Sequence, residues 1–426
     1  MSTSRAAALP RWAFAATLGG FMFGFELAVI SGALLFLRRS FDLSGFEQGA
    51  LVSVVPLGAM VGGLLAGRVA DTIGRRGALI GIAVVFIVAS ALAAGAPNYG
   101  VLLVARAVTG VAVGAVSSTA PLYLSEIATP DRRGRLVTLN QLMVTLGIVV
   151  AYGVGLAFSG SGEWRAMFAA GLLPAGLLLL GMLRAPETPV RQVQARRGVG
   201  VQALMRSAAA PALIVGVTLA VVQQFAGINA VIAFAPTIMQ RTGLTASNSI
   251  LYSIAIGVAN VAATAVSIRL VDRRGRRPLL LASTAGTGAS LILLGLTFEV
   301  SLGDWGSWLA LACLLGYVAS FAIGLGPIFW LLISEIFPPE FRAAGAGVAT
   351  AVNWFSSFVV GLVFVPLAAG IGEGPTFWVF AAVCALGFAF ARRYVPETKG
   401  RGPDEIQTDV RGRFGRRARG RAAPSH

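Results

Sequence analysis

Two charged residues of opposite sign lie inside long apolar stretches, where charges are otherwise rare. Glu26 is in the first of these stretches and Arg106 is in the fourth. An ionised side chain in such surroundings is costly unless it is paired or faces water, so we expect the two residues to be partners. Because burial and pairing both change the affinity of a carboxylate for a proton, alternating exposure predicts proton exchange at Glu26. The alternative is a static ion pair that only fixes helix packing.

A second group of polar residues consists of amides within the apolar stretches. Each amide offers a hydrogen-bond donor and an acceptor, which suits a neutral molecule covered in hydroxyl groups. The amides are Gln141, Gln223, Gln224, Asn229, Asn260 and Asn353. They predict a binding site for a neutral polar solute, whereas the alternative is that they join neighbouring helices by hydrogen bonds.

Glycine and proline residues near these amides predict two interrupted helices. Gly227 and Pro236 flank the polar part of one stretch, and Gly324 and Pro327 precede Trp330 in another. Such residues interrupt helices at identifiable points. We therefore expect broken helices beside the site, with the Trp330 ring covering an apolar face of the solute.

Acids and bases also recur at the ends of the apolar stretches, where they predict a gate. Seven positions separate Glu126 from Arg133, and the same spacing separates Glu335 from Arg342. Isolated exposed ion pairs contribute little, so only a network of them would hold helix ends together. The alternative is a set of solvated loop charges. The candidate gate residues are Asp71, Arg75, Arg76, Glu126, Arg133, Glu187, Asp272, Arg276, Glu335, Arg342 and Glu397.

These charged motifs occur twice along the chain. DTIGRRG begins at Asp71 and DRRGRRP begins at Asp272, 201 residues later. A Ser-Glu-Ile motif and a Pro-Glu-Thr motif recur with offsets of 209 and 210 residues. A repeat of this length in an apolar chain predicts two related membrane bundles with a solute site between them.

Composition supports a membrane protein, with 56% hydrophobic and 12% charged residues against about 25% charged in soluble domains. Stretches of about 20 apolar residues are long enough to span a bilayer. We expect twelve spans, at 12–37, 46–69, 77–96, 100–125, 136–158, 165–185, 210–241, 247–271, 276–299, 306–335, 342–369 and 374–395.

The expected fold is therefore an all-α membrane protein with twelve transmembrane helices in two pseudo-symmetric six-helix bundles. Its segments are an N-terminal bundle at 1–185, a short cytoplasmic linker at 186–209, a C-terminal bundle at 210–395 and a basic cytoplasmic tail at 396–426. We expect the tail to be solvated and disordered, with contact to anionic lipid as the alternative.

The distribution of basic residues predicts the orientation. Of the 34 lysines and arginines, 29 lie at the termini or in loops on one side of this topology. By the positive-inside rule, both termini are expected in the cytoplasm. The net charge of +16 thus reflects membrane orientation, and we expect no nucleic-acid partner.

Other classes of protein fit the sequence less well. The only histidine is the final residue, His426, and no nucleophile, metal or cofactor constellation is present. We therefore expect no enzymatic activity and no cofactor. A channel would not need two matched halves, and a nutrient sensor usually needs a longer extension. We expect the chain to function as a monomer.

Several motifs resemble those of the sugar porter family of the major facilitator superfamily, over nearly the whole chain. The matching strings are GGFMFGFELAVISGA from Gly19, GRVADTIGRRG from Gly67, YLSEIATPDRRGR from Tyr123, QQFAGINAVIAFAP from Gln223 and GPIFWLLISEIFPPEFR from Gly326. The GRR loops are moderately specific, whereas QQFAGIN and the final PETK are much more specific. The family includes bacterial sugar–proton symporters and facilitative glucose carriers.

The resemblance implies a sugar transporter in the inner (plasma) membrane. Glu26 occupies a position where proton-coupled members of the family carry aspartate. The positions of the amides line the sugar pocket in the family. Departures at Ile148, Ala233, Phe234 and Ala322 imply a wider and less polar pocket than a typical hexose site. The resemblance therefore implies import of a neutral sugar by proton symport. The alternatives are facilitative sugar uniport and proton-coupled transport of a polyol or another small polar solute.

Overall fold

A computed structural model describes residues 3–128, 133–188, 201–300, 303 and 305–419 of the protein. These residues form helices joined by short connections. The helices are α1 (Thr3–Ser40), α2 (Gly45–Ile73), α3 (Arg75–Ala94), α4 (Tyr99–Ile127), α5 (Arg133–Ala157), α6 (Trp164–Ala169), α7 (Leu172–Arg184), α8 (Val201–Arg206), α9 (Ala210–Phe225), α10 (Ile228–Arg241), α11 (Ala246–Arg274), α12 (Arg276–Glu299), α13 (Trp305–Ile323), α14 (Leu325–Glu335), α15 (Arg342–Ile371), α16 (Glu373–Tyr394) and α17 (Pro403–Arg419).

Within the described residues, twelve helical segments are long and apolar enough to cross a membrane. Nine are single helices, and the other three are the consecutive pairs α6–α7, α9–α10 and α13–α14. The protein is thus an all-α membrane protein with two pseudo-symmetric six-helix halves, as expected. Both ends of every segment lie within four residues of the expected span.

Glycines allow very close helix crossings inside the first half. A Cβ atom at Gly24 of α1 would lie 1.8 Å from the backbone oxygen of Val144 in α5. A Cβ at Gly62 of α2 would lie 2.0 Å from the backbone oxygen of Val111 in α4. Small residues permit such approach in membranes, where packing rather than water exclusion drives association. These crossings position α1 and α4, which carry Glu26 and Arg106.

Two of the three helix breaks in the described residues occur where glycine and proline predicted them, whereas the break between α6 and α7 was not predicted. Between α9 and α10, Gly227 has a φ of 91°, a left-handed conformation that favours glycine. Between α13 and α14, a Cβ atom at Gly324 would lie 2.5 Å from the backbone oxygen of Leu279. The Ser283 hydroxyl accepts a hydrogen bond from the free backbone N–H of Leu325 at 2.7 Å. Both breaks are confirmed.

The two halves contact each other through α2 and α15, α5 and α11, and α1 and α10. We call the end that carries Arg75 and Arg276 the arginine-rich end. Toward the opposite end, α5 contacts α11: the Ser159 and Ser247 hydroxyls are 3.0 Å apart, and a Cβ atom at Gly155 would lie 3.7 Å from Ile250 Cγ2. At the arginine-rich end, the described ion pairs each lie within one half. The protein is therefore closed at the end opposite the arginine-rich end.

The expectation of a disordered, solvated tail is wrong for residues 403–419, which form α17 and pack on the second half. Ile406 and Val410 are 4% and 0% exposed, and the rings of Phe414 and Tyr394 are 4.6 Å apart. The apolar residues recur every four positions, so they share one helix face. Burial of this face stabilises α17 against the bundle.

Candidate functional site

Glu26 and Arg106 form the expected ion pair. Arg106 Nη1 lies 3.1 Å from Glu26 Oε2, and Arg106 Nη2 donates a hydrogen bond to the backbone carbonyl of Glu26 at 2.9 Å. The two side chains are only 1% and 3% exposed. One guanidinium thus holds both the carboxylate and the backbone of the same residue.

Helices α3, α6 and α7 complete the surroundings of the carboxylate. The Ser90 hydroxyl donates to Glu26 Oε1 at 3.2 Å, and the Arg106 guanidinium lies 5.8 Å from the Phe168 ring centroid. A Cβ atom at Gly171 would lie 3.1 Å from Glu26 Oε1 and 3.1 Å from Ser90 Oγ. Sequence reasoning missed Ser90 and Gly171, because small residues in apolar spans carry no distinguishing signal.

This arrangement links the protonation of Glu26 to the position of α4. A buried charge that loses its partner is strongly destabilised. Neutralising Glu26 with a proton therefore weakens its hold on Arg106, and moving Arg106 away favours uptake of a proton. A role for this pair in proton coupling stays a prediction.

The amides around the first helix break form one connected network. Gln224 Nε2 donates to Asn353 Oδ1 at 3.0 Å, and Asn353 Nδ2 donates to Gln223 Oε1 at 2.6 Å. Asn229 Nδ2 donates to Gln224 Oε1 at 3.0 Å and to Ser357 Oγ at 2.9 Å. Three helices, α9, α10 and α15, are thereby joined by side chains. Ser357 was missed by sequence reasoning, since a single serine in an apolar span is common.

Gln223 also connects the two helix breaks. Its Nε2 atom donates to the backbone carbonyls of Leu325 and Gly326, at 3.1 Å and 2.9 Å. These carbonyls belong to the first turn of α14, five and four residues before Trp330. Gln223 therefore positions α14 relative to α9, in addition to any contact with a solute.

The predicted amides differ in how much of their surface is accessible. Gln141 is exposed although it lies within a span, Trp330 is 41% exposed and Asn229 is half-buried. Asn353 is fully buried, with its amide engaged by other side chains. Asn260 is 9% exposed and has no hydrogen-bond partner among the described residues. Asn353 supports the network, whereas contact of Gln141, Asn229, Asn260 and Trp330 with a solute stays a prediction.

At the arginine-rich end, the first half has its own charge network. Arg75 contacts Asp71 at 2.6 Å and Glu126 at 3.3 Å. The backbone N–H of Arg76 donates to Glu187 at 3.1 Å. These contacts connect the start of α3 with the ends of α2, α4 and α7.

The second half repeats this network. Arg276 lies 2.8 Å from Glu335, and its backbone N–H donates to Glu397 at 3.0 Å. Burial raises the pKa of Glu397, but hydrogen bonds from the backbone N–H groups of Lys399, Arg276, Arg277 and Thr398 outweigh it and hold that pKa below its ordinary value. The duplicated motifs thus build two equivalent clusters.

Three predicted gate residues are not placed in these clusters. The side chains of Arg133 and Asp272 lie outside the described residues. Arg342 is exposed, and the described partner of Glu335 is Arg276 rather than the base seven residues later. The seven-residue spacing therefore does not pair Glu335 with Arg342 in this conformation. A role for these residues in a gate stays a prediction.

The fold and the site define a class of protein. The two six-helix halves are closed at one end, and each contains interrupted helices. The amide network lies at one helix break of the second half, and the buried ion pair lies in the first half. Inverted or parallel repeats with discontinuous helices at the site are the architecture of secondary transporters.

Comparison with known proteins identifies the family within this class. A family model described as "Sugar (and other) transporter" matches residues 12–199 and 190–410. The chain therefore belongs to the sugar (and other) transporter family.

Individual relatives are similar over nearly their whole length. The galactose-proton symporter of Escherichia coli (strain K12) is 35% identical over 421 residues, covering 91% of each chain. The putative metabolite transport protein YwtG of Bacillus subtilis (strain 168) is 36% identical over 436 residues, covering 94% of this chain and 95% of the relative. A partially occluded inward open conformation of the xylose transporter XylE from E. coli has a TM-score of 0.81 and 30% identity, covering 93% of this chain and 100% of that one.

Proposed function

We propose that this protein is a secondary active transporter that imports a neutral sugar by proton symport through alternating access. The observation that carries the proposal is the buried ion pair between Glu26 and Arg106, in a chain whose family transports sugars. Relatives named as a galactose-proton symporter and as a D-xylose transporter support the substrate class and the coupling. Glu26 carries the proton, and Arg106 stabilises the deprotonated carboxylate.

The sugar is held by the accessible polar groups of the spans. Asn229 and Gln141 donate to and accept from sugar hydroxyls, and Trp330 covers an apolar face of the ring. Gln223 and Gln224 fix the positions of the two broken helices relative to each other. They also accept hydrogen bonds from the sugar through the lone pairs that the network leaves free. Asn260 contributes a further amide, and Asn353 keeps Gln224 in place from behind.

The protein lies in the plasma (inner) membrane of the cell. Both termini and the arginine-rich end face the cytoplasm. The first half comprises residues 1–185 and the second comprises 210–395, with a linker at 186–209 and a basic segment at 396–426. The transporter acts as a monomer. It has no enzymatic role, and the partners are sugar, proton and membrane lipid.

The charge clusters at the arginine-rich end act as rigid units of the gate. Each cluster links the helix ends of one half, so each half moves as a body when the cytoplasmic end opens and closes. The exposed arginines, including Arg342, are free to reach the other half when that end closes. A network of ion pairs is required to hold the cytoplasmic end closed, because a single exposed ion pair stabilises a structure by only about 0–1 kcal/mol.

Uptake by reconstituted protein tests the proposal. Proteoliposomes with an inward proton gradient should accumulate labelled xylose, galactose or glucose, and Glu26→Gln should abolish accumulation while sugar counterflow remains measurable. Glu299→Gln is the matched control, because Glu299 is an exposed glutamate at the end of α12. Uptake that only equilibrates the sugar and ignores a protonophore would support uniport, and accumulation of inositol in place of every sugar would support a polyol carrier.

A further inference from the structure

A tyrosine of the first half hydrogen bonds to the backbone of the second half. The Tyr152 hydroxyl of α5 donates to the backbone carbonyl of Ile232 in α10 at 2.7 Å. Tyr152 is 1% exposed and Ile232 is 6% exposed, so the bond is shielded from water. Sequence reasoning attached no role to either residue, since 80 positions separate them.

The acceptor carbonyl lacks its usual partner because of a proline. In an α-helix, the carbonyl of residue i accepts from the N–H of residue i+4. Residue i+4 for Ile232 is Pro236, which lies inside α10 and has no N–H. A buried carbonyl without a partner costs free energy, and the Tyr152 hydroxyl satisfies it. The two residues that follow Ile232, Ala233 and Phe234, carry no hydroxyl of their own.

A second contact between the halves follows the same pattern. In α15, Pro366 removes the N–H that would bond to the carbonyl of Leu362. A Cβ atom at Gly49 of α2 would lie 2.4 Å from that carbonyl oxygen, so only glycine allows the approach. The first half therefore meets a proline-freed carbonyl of the second half in two places.

We propose that Tyr152 is a positioning residue that holds the end opposite the arginine-rich end closed, by satisfying the carbonyl that Pro236 leaves free. The proposal rests on alternating access under the proposed function. When that end opens, α10 separates from α5 and water replaces the hydroxyl at the Ile232 carbonyl. The hydrogen bond thus contributes to the closed conformation only, and its loss shifts the population toward the open one.

A second tyrosine provides a matched control. The Tyr317 hydroxyl donates to the backbone carbonyl of Ala226 at 2.8 Å, and Tyr317 is 0% exposed. This bond also lies beside the break between α9 and α10, but both partners belong to the second half. Removing its hydroxyl removes a similar bond without affecting the contact between the halves.

Labelling of a buried cysteine measures the opening. Ile250 of α11 is 0% exposed, and its Cγ2 atom would lie 3.7 Å from a Cβ atom at Gly155 of α5. With Cys313 and Cys384 replaced by alanine, Ile250→Cys should react slowly with a charged maleimide. Tyr152→Phe should raise that rate roughly 2- to 12-fold, the change expected for the loss of one hydrogen bond. Tyr317→Phe should leave it unchanged.

A double substitution tests whether the hydroxyl acts through the freed carbonyl. In Pro236→Ala protein, the new N–H bonds to the Ile232 carbonyl, so Tyr152→Phe should change the labelling rate less than roughly 2-fold. Equal labelling of the Tyr152→Phe and Tyr317→Phe proteins, or an equal effect of Tyr152→Phe in both backgrounds, would overturn the proposal. The assay needs neither sugar nor a proton gradient, so its result is independent of whether the proposed transport is observed.

Discussion

Substituting one or both members of the buried ion pair should reveal how far each charge depends on the other. In Arg106→Gln protein, the Glu26 carboxylate loses the partner at 3.1 Å while remaining buried. Removal of one member of a buried pair typically costs about 3–5 kcal/mol. Glu26→Gln should cost less, about 1–3 kcal/mol, because the new amide oxygen still accepts from Arg106.

The double substitution should recover most of this loss. Two neutral amides at these positions hydrogen bond to each other without the desolvation cost of charge, so the double variant should be more stable than Arg106→Gln alone. The control is the pair formed by Arg241 and Glu373, whose side chains are 33% and 19% exposed. Because water reaches these side chains, substituting its members should cost less than Arg106→Gln does.

Thermal unfolding of the purified variants in detergent at neutral pH provides the measurement. From highest to lowest, the expected order of midpoint temperatures is native protein, the control variants, the double variant, Glu26→Gln and Arg106→Gln, with the double variant at or above Glu26→Gln. If the two losses simply add in the double variant, the charges do not compensate each other, and the reasoning about the pair is refuted.

Three further predictions concern the amide network, the charge cluster of the second half and the first helix break. Gln223→Ala frees two carbonyls at the start of α14 and should weaken sugar binding roughly 5- to 150-fold by calorimetry; unchanged binding would remove Gln223 from the site. Because the pKa of Glu397 is lowered by folding, its contribution to stability is present above the ordinary value of 4.5 and is lost as the pH falls through the lowered value. Glu397→Gln should therefore lower the unfolding midpoint at pH 7, with a difference that disappears in acid; a difference independent of pH would contradict this. Gly227→Ala should destabilise by about 1–3 kcal/mol, since φ is 91° and its Cβ would lie 2.8 Å from a phenylalanine ring. Gly81→Ala, with open space around its Cβ inside α3, should not lower the unfolding midpoint in the same assay.

Much of the fold could be predicted from the sequence because it depends on local features of the chain. Twenty-residue apolar stretches must be helical in a bilayer, so span positions could be predicted closely. Gly227 and Gly324 indicated two of the three described breaks because glycine and proline interrupt helices locally. The partnership of Glu26 and Arg106 was predictable because each has few alternatives in an apolar medium.

Other features depend on contacts between distant residues and had no local signal. The complete burial of Asn353 results from how α9, α10 and α15 pack, and its sequence context does not distinguish it from Gln224. The hydroxyl of Ser90 approaches Glu26 only because α3 crosses α1 at that point. The packing of α17 did have a signal, since Ile406 and Val410 are four positions apart, but the surrounding arginines obscured it.

The central claim is that the sugar enters together with a proton that Glu26 carries. A pH measurement tests this claim most directly. Adding xylose, galactose or glucose to de-energised cells or proteoliposomes in weakly buffered medium should raise the external pH, as protons enter with the sugar. Glu26→Gln protein should bind the same sugar but give no pH change. A pH rise that persists in Glu26→Gln protein, or sugar entry through native protein without any pH rise, would contradict the account.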